Sequence, residues 1–195
     1  MKLDPALFTN TPLEVYEPRE DTFFLLDCLE LEAGDETVLE MGAGSGLISL
    51  HLAKAGLAVT AVDINPHSIK HIEDTFDNLS LPVETFLSDM FENVRGTFDV
   101  VLFNSPYLEM SCEDFLLRGT DRQALIGGVK GFEIARRFVL EVQKHLNGNG
   151  RAYLLLQKDH WEMAVADSLL EWKKVRENDS HGEKLVVLKG RFNWQ

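Results

Sequence analysis

The feature that most constrains this chain is a short apolar run, Val38-Leu39-Glu40-Met41, that ends directly on Gly42-Ala43-Gly44-Ser45-Gly46 and is followed by helical spacing over 46–55. A strand that turns sharply into a helix needs a backbone unencumbered at the turn, and glycine supplies both positive φ and close approach. The spacing is G-x-G-x-G. A dinucleotide fingerprint would place its third glycine where Leu47 stands, and a phosphate-cradling loop would carry Gly-Lys-Ser/Thr, which is absent. Asp63 closes the next apolar run, 21 residues after Gly42, where a carboxylate accepts both hydroxyl hydrogens of a ribose. The turn alone would require the glycines; with Glu40 before them and Asp63 beyond, they point to nucleoside binding.

Along the rest of the chain, short apolar runs alternate with helical spacing. Strands are predicted at 37–41, 58–62, 83–87, 98–103, 151–156 and 184–189, and helices at 46–55, 66–79, 131–145 and 160–172. A further helix is predicted over Thr22 to Leu29, behind Pro18 and the acidic residues Glu20 and Asp21. Asn65 caps 66–79 with Pro66 in its first turn, and Asp159 with Glu162 three residues on opens 160–172. This order predicts an α/β fold, a mostly parallel sheet with helices on both faces and ligands beyond the carboxyl ends of the strands. No repeat, low-complexity tract or flexible linker divides residues 1–195, so one domain is expected.

A second constellation closes the fourth strand, where Phe98 to Phe103 runs into Asn104-Ser105-Pro106-Tyr107. A strand leaves the sheet there through a stiff turn that displays an amide and an aromatic ring. Asn and Pro favour turns in any context, so the tetrapeptide gains chemical meaning from its place in the fold.

Charge narrows the partners. Residues 1–97 hold 5 Lys and Arg against 18 Asp and Glu, the whole of the net charge of −13, while 98–195 hold 14 of each. Non-specific phosphate binding draws on a basic excess, and only short mixed stretches such as Lys173-Lys174-Val175-Arg176 offer one, so nucleic acid is disfavoured. The longest apolar run, Ala152 to Leu156, is far below the roughly 20 residues of a membrane span. Met1-Lys2-Leu3-Asp4-Pro5 lacks a secretory pattern, which predicts a cytoplasmic chain. Cys28 shares helical spacing with Phe24 and Leu31, and Cys112 has no His nearby, so both read as thiols without chemistry. His67 and His71 are four apart on a predicted helix without a third ligand, so no metal site is predicted. Trp161, Trp172 and Trp194 read as packing, and Leu108 to Ala124, with Arg118 and Arg122, as a long loop beside the second constellation.

Taken together, the Glu-x-Gly-x-Gly-x-Gly loop at 40–46, Asp63, Ser88-Asp89 and the Asn104 tetrapeptide resemble the class I S-adenosylmethionine-dependent methyltransferases that modify planar amide or amine nitrogens. Val15-Tyr16-Glu17-Pro18-Arg19-Glu20-Asp21-Thr22-Phe23 is similar to the Tyr-Glu-Pro-Ala-Glu-Asp-Thr-Phe segment of the short HemK-type enzymes of archaea and eukaryotes. Gly127-Gly128-Val129-Lys130-Gly131-Phe132-Glu133 resembles their Gly-Gly-x-x-Gly-x-Glu segment. The resemblance spans residues 15–190, and about 20 residues precede the first predicted helix, as in the short form.

The resemblance implies a Rossmann-like seven-stranded sheet and methyl transfer from S-adenosylmethionine to the glutamine side chain in the Gly-Gly-Gln motif of a class 1 translation release factor, leaving S-adenosylhomocysteine. It places Tyr16 and Thr22 at the methionine end of the cofactor and counts Pro18, Glu40, Gly42, Gly44 and Gly46 among the residues that bind it. Asp63 belongs at the ribose and Asp89 near the adenine, with Ile64 and Met90 also among the cofactor-binding residues. Asn104 joins them and, with Ser105, Pro106 and Tyr107, forms the catalytic tetrapeptide. The Asn104 oxygen and the residue 105 carbonyl accept the two amide hydrogens, and Tyr107 packs on the planar amide. Ser105 departs from the family's first proline, which keeps the carbonyl but gives up a fixed φ and predicts a looser loop. The resemblance also implies a small zinc-binding activator subunit along the third-strand edge, Pro82 to Leu87, where an apolar edge needs covering. Two other functions stay open: N-methylation of adenine or guanine in nucleic acid, and S-adenosylmethionine binding without catalysis.

Overall fold

The computed structural model describes residues 1–8, 10–111, 124–180 and 183–192. Cys112, Arg118, Arg122 and Trp194 lie outside the described residues, as does most of the loop from Leu108 to Ala124.

Strands β1 (Thr37–Met41), β2 (Ala58–Asp63), β3 (Glu84–Leu87), β4 (Phe98–Asn104), β7 (Leu146–Gln157), β8 (Glu171–Ser180) and β9 (Glu183–Arg191) form one seven-stranded sheet in the order β3-β2-β1-β4-β7-β9-β8. The pairs from β3 through β7 are parallel, and β9 runs antiparallel to both β7 and β8. Two further strands, β5 (Leu108–Glu109) and β6 (Ile126–Gly128), make a small parallel pair beyond β4.

Alternate residues of each central strand face opposite layers, as the two-residue period of a strand requires. Leu39, Val101, Phe103, Leu154 and Val186 pack against helix α4 (Glu133–Val142) through Phe138 and Val142. Val38, Val100, Leu102, Tyr153 and Leu155 pack against helices α1 (Glu20–Cys28) and α2 (Leu47–Lys54) through Leu25, Ile48 and Leu52. Helix α3 (Pro66–Asn78) joins the same layer as α2 through Ile72 and Phe76, and Asn65 caps it by accepting the His67 N–H at 3.0 Å. Cys28 is buried among these apolar side chains, and burial pushes its thiol pKa up. Among the described residues no helix is long and apolar enough to cross a membrane.

One sequence expectation is corrected. Local spacing predicts a helix over 160–172, but helix α5 covers only Trp161–Val165, and the chain then enters β8 at Glu171. Trp172 is therefore a strand residue, stacked over Gly190 of β9, where a Cβ would come within 2.8 Å of the indole. Leu170 and Trp172 are the inward positions of a strand start, and the charges that follow, Lys173, Lys174 and Arg176, suit an exposed sheet edge.

β1 lies between β2 and β4, so its two neighbours are reached by crossovers of opposite sense. The carboxyl ends of these strands open a crevice at that switch point, the ordinary ligand position in such sheets.

Candidate functional site

A cavity of about 370 Å³ occupies that crevice. Its floor is the glycine loop, where Gly42, Gly44 and Gly46 all have positive φ (59°, 55° and 74°). At Gly42 the close approach is also steric, because a Cβ would sit 2.9 Å from the Phe103 ring. Gly46 serves packing instead: it starts α2, a Cβ there would meet Ile72 at 2.7 Å, and it does not line the cavity.

The two carboxylates flanking the loop hold it in place. Glu40 faces α2, not the cavity: its Oε2 accepts the Ser49 N–H at 2.7 Å and the Ser49 hydroxyl at 2.5 Å. It thereby satisfies one of the free N–H groups in the first turn of α2, whose Gly46 start offers no side-chain cap. Burial pushes the Glu40 pKa up to about 8, against the lowering effect of the Ser49 bonds. Asp63 does line the cavity, and its oxygens accept the Gly44 and Asn65 N–H groups, each at 2.8 Å. Burial raises its pKa in spite of those bonds.

At the far wall are Ile64, Asp89 and Met90. Asp89 pairs with Arg137 of α4 at 3.0 Å, and Arg137 also lines the cavity. Sequence reasoning missed Arg137, because its link to Asp89 joins elements 48 residues apart.

The opposite end is formed by Tyr16, Asp21, Asn104, Ser105 and Pro106. Pro18 and Thr22 do not line the cavity; Thr22 sits behind it, its hydroxyl 3.5 Å from Asn104 Nδ2. Asp21, 5% exposed, accepts the Asn104 Nδ2–H at 3.1 Å and the Tyr16 hydroxyl at 3.3 Å through Oδ2. Asn104 Oδ1 is buried and has no hydrogen-bond partner among the described residues. Such an atom costs roughly 1–3 kcal/mol when left unpaired.

The loop from Asn104 to Tyr107 is held from two sides. Ser105 donates its hydroxyl to the Leu155 carbonyl at 2.6 Å and its N–H to the same oxygen at 3.3 Å. The looser turn expected from loss of the proline ring is thus offset by two hydrogen bonds to β7. On the other side the Gly127–Glu133 segment packs against the loop backbone: a Cβ on Gly127 would come within 2.5 Å of the Pro106 carbonyl, and one on Gly131 within 2.7 Å of that of Tyr107. Glu133 ties this segment by accepting the Lys130 N–H at 3.0 Å. Tyr107 is 5% exposed, packs with Phe24 and Tyr153 in the α1 layer, and does not line the cavity.

Among the described residues the lining is rich in acceptors: three carboxylates (Asp21, Asp63, Asp89) and Asn104 with its unpartnered oxygen, against one cation, Arg137, already paired with Asp89. Such a set suits a cationic ligand that carries hydroxyl and amino hydrogens, and repels a pyrophosphate.

Residues 18–117 match the model of the methyltransferase small domain family. The chain belongs to this family, in its HemK-type branch. A Methanocaldococcus jannaschii protein described as a putative protein N5-glutamine methyltransferase is 42% identical over 143 residues, covering 73% of this chain and 72% of the relative. The release factor glutamine methyltransferase of Aquifex aeolicus is 32% identical over 196 residues, covering 92% and 68%. In fold, the methyltransferase is similar to Mtq2 in the E. cuniculi Mtq2–Trm112 complex, with a TM-score of 0.71 at 23% identity over 93% of this chain and all of that one. Its cofactor is S-adenosylmethionine, a sulfonium cation with a ribose diol and an exocyclic amine, and the acceptor-rich lining fits that molecule.

Proposed function

We propose that this methyltransferase modifies the side-chain amide of glutamine in the Gly-Gly-Gln motif of a class 1 release factor. The observation that carries the reading is the buried, unpartnered Oδ1 of Asn104, a residue of the cavity lining; the names of the relatives from Methanocaldococcus jannaschii and Aquifex aeolicus support it. S-adenosylmethionine supplies a methyl group activated by its sulfonium. An amide nitrogen is a poor nucleophile because its lone pair is delocalised, so positioning must provide much of the rate. Asn104 Oδ1 accepts one amide hydrogen and the Ser105 carbonyl the other, which aims the nitrogen along the cavity. Both acceptors bind more tightly as the nitrogen becomes positive, so they favour the transition state over the ground state. Asp63 takes the ribose hydroxyls on its remaining lone pairs, Ile64 and Met90 flank the adenine, and Tyr16 closes the methionine end.

The test is incubation with labelled S-adenosylmethionine and, separately, release factor, release factor lacking the motif glutamine, and nucleic acid. Label is expected only on the intact release factor. Label chiefly on nucleic acid would replace this reading with base methylation, and cofactor binding without any transfer would replace it with a non-catalytic one.

We infer further that a small zinc-binding activator subunit covers the β3 edge. Among the described residues β3 pairs only with β2, and its Leu87 is half exposed (50%). The similar E. cuniculi protein, Mtq2, forms a complex with a second protein, Trm112, which supports a two-subunit arrangement here. Co-purification of the two subunits, lost on Leu87→Glu, is the expected result.

A further inference from the structure

Asn104 can carry its amide in two orientations, related by a half turn about its last bond, and the one present sets its nitrogen on Asp21 and leaves its oxygen without a partner among the described residues. Asp21 decides between them. Its Oδ1 accepts the Thr22 N–H at 2.7 Å and hydroxyl at 3.3 Å, while Oδ2 accepts the Tyr16 hydroxyl and the Asn104 amide. A carboxylate has no proton to offer, so only the NH₂ end of Asn104 can face it. The reversed amide would set oxygen against oxygen at about the 3.1 Å now spanned by the hydrogen bond. With Asp21 buried at 5% exposure and Asn104 Oδ1 shielded from water, neither group escapes the arrangement by turning to solvent.

We propose that Asp21 is a positioning residue for methyl transfer: it locks the Asn104 amide with its oxygen toward the acceptor nitrogen and strengthens that oxygen as an acceptor. The strengthening follows because a hydrogen bond from Nδ2 to a carboxylate is charge-assisted and polarises the amide, drawing electron density to Oδ1. As positive charge develops on the attacked nitrogen, the Asp21 charge is felt through the amide without touching the substrate. The site so built presents acceptors only, and therefore takes a nitrogen that carries hydrogen. Transfer breaks the methyl–sulfonium bond as the N–CH₃ bond forms, S-adenosylhomocysteine leaves, and the nitrogen gives one proton to solvent; the single N–H it keeps can satisfy only one of the Asn104 and Ser105 oxygens, so the lock also favours stopping at one methyl. The proposal rests on the reading of Asn104 as the acceptor-binding group.

Asp21→Asn keeps the size of the side chain but cannot accept from Thr22 and from Asn104 with both ends. In single-turnover reactions with saturating cofactor and release factor, it should lower the rate about 10-fold to 100-fold, with folding checked by an unchanged melting profile. In an Asn104→Ala background the same substitution should change the rate by less than about threefold, because the lock then has nothing to hold. Equal loss in both backgrounds, or no loss in the first, would overturn the proposal. A second measurement needs no substrate: in ¹⁵N-labelled protein the Asn104 side-chain NH₂ should exchange its protons slowly, and Asp21→Asn should speed that exchange. Solvent-like exchange in the wild type would also overturn the lock. Failure of the wild type to methylate release factor, with slow Asn104 exchange intact, would instead overturn the functional reading and leave the lock standing.

Discussion

The two ends of the cavity treat their polar groups differently. At the carboxyl ends of β1 and β2, Asp63 spends an oxygen on each of two backbone N–H groups and Glu40 is turned away onto Ser49. At the carboxyl end of β4, Asn104 is held through its nitrogen by Asp21 and its oxygen is left open. The first end uses charge to fix a backbone, which in the proposed function surrounds the cofactor. The second keeps one buried acceptor unsatisfied, which in the proposed function is the atom that meets the methyl acceptor. Buried polar atoms without partners are rare in folded proteins, so the contrast separates binding from chemistry more sharply than residue type does.

The largest test of this division is Asn104→Ala. Turnover at saturating cofactor should fall about 10²- to 10³-fold, the scale of losing one preorganised partner of a developing charge, while calorimetry should find cofactor affinity nearly unchanged. Equal turnover would reduce the tetrapeptide to a turn. Asp63→Ala should do the reverse. Loss of a charge-assisted acceptor costs on the order of 1.5–3 kcal/mol, so cofactor affinity should weaken roughly 10-fold to 100-fold while turnover at saturation survives. A turnover loss that saturating cofactor cannot repair would show that Asp63, through Gly44, also shapes the acceptor end.

Glu40 sharpens the comparison through pH. Its folded-state pKa of about 8 lies above the ordinary value of 4.5, so between those values the folded protein keeps a proton that the unfolded chain has released. Stability should therefore fall as pH rises through that window, by up to about 1.4 kcal/mol per unit from this group, and level off above pH 8. Glu40→Gln should lose that slope in denaturant titrations at pH 5, 6.5 and 8 and bind cofactor about as well as the wild type at pH 5. A slope that persists in the variant would assign it to another group.

The glycine loop, Asp63 and the tetrapeptide are legible in the sequence because each is a contiguous pattern at the end of a strand. Asp21 is visible there as an acidic first-turn residue of α1 and as part of the 15–23 segment, but neither pattern gives it a partner, and its tie to Asn104 spans 83 residues. Glu40 reads toward the ligand because it adjoins the loop, yet strand alternation puts it on the α2 face with Val38. The start of β8 reads as the end of a helix for a related reason: its charges mask a two-residue period, and what makes it a strand is pairing with β9, which local spacing does not record.

The smallest expected effects concern Ser105, where the two ends of the cavity use opposite means to hold backbone. Asp63 holds Gly44 by accepting, whereas Ser105 holds itself to β7 by donating twice to one carbonyl. Ser105→Ala keeps the N–H bond to Leu155 and loses only the hydroxyl, so it should cost about 1 kcal/mol of stability and leave most of the turnover. Restoring the family proline by Ser105→Pro removes both donors, because proline has no N–H, and leaves the buried Leu155 carbonyl without either. The stiffer ring offsets part of that loss, by about 0.4–1 kcal/mol through the unfolded chain. The proline variant is therefore expected to be no more stable than the alanine variant in denaturant titrations, with the carbonyl of residue 105 still available to the acceptor. If Ser105→Pro instead raised both stability and turnover above wild type, the hydroxyl would be a substitute inferior to the ring, and loop stiffness, more than hydrogen bonding to β7, would govern the acceptor end.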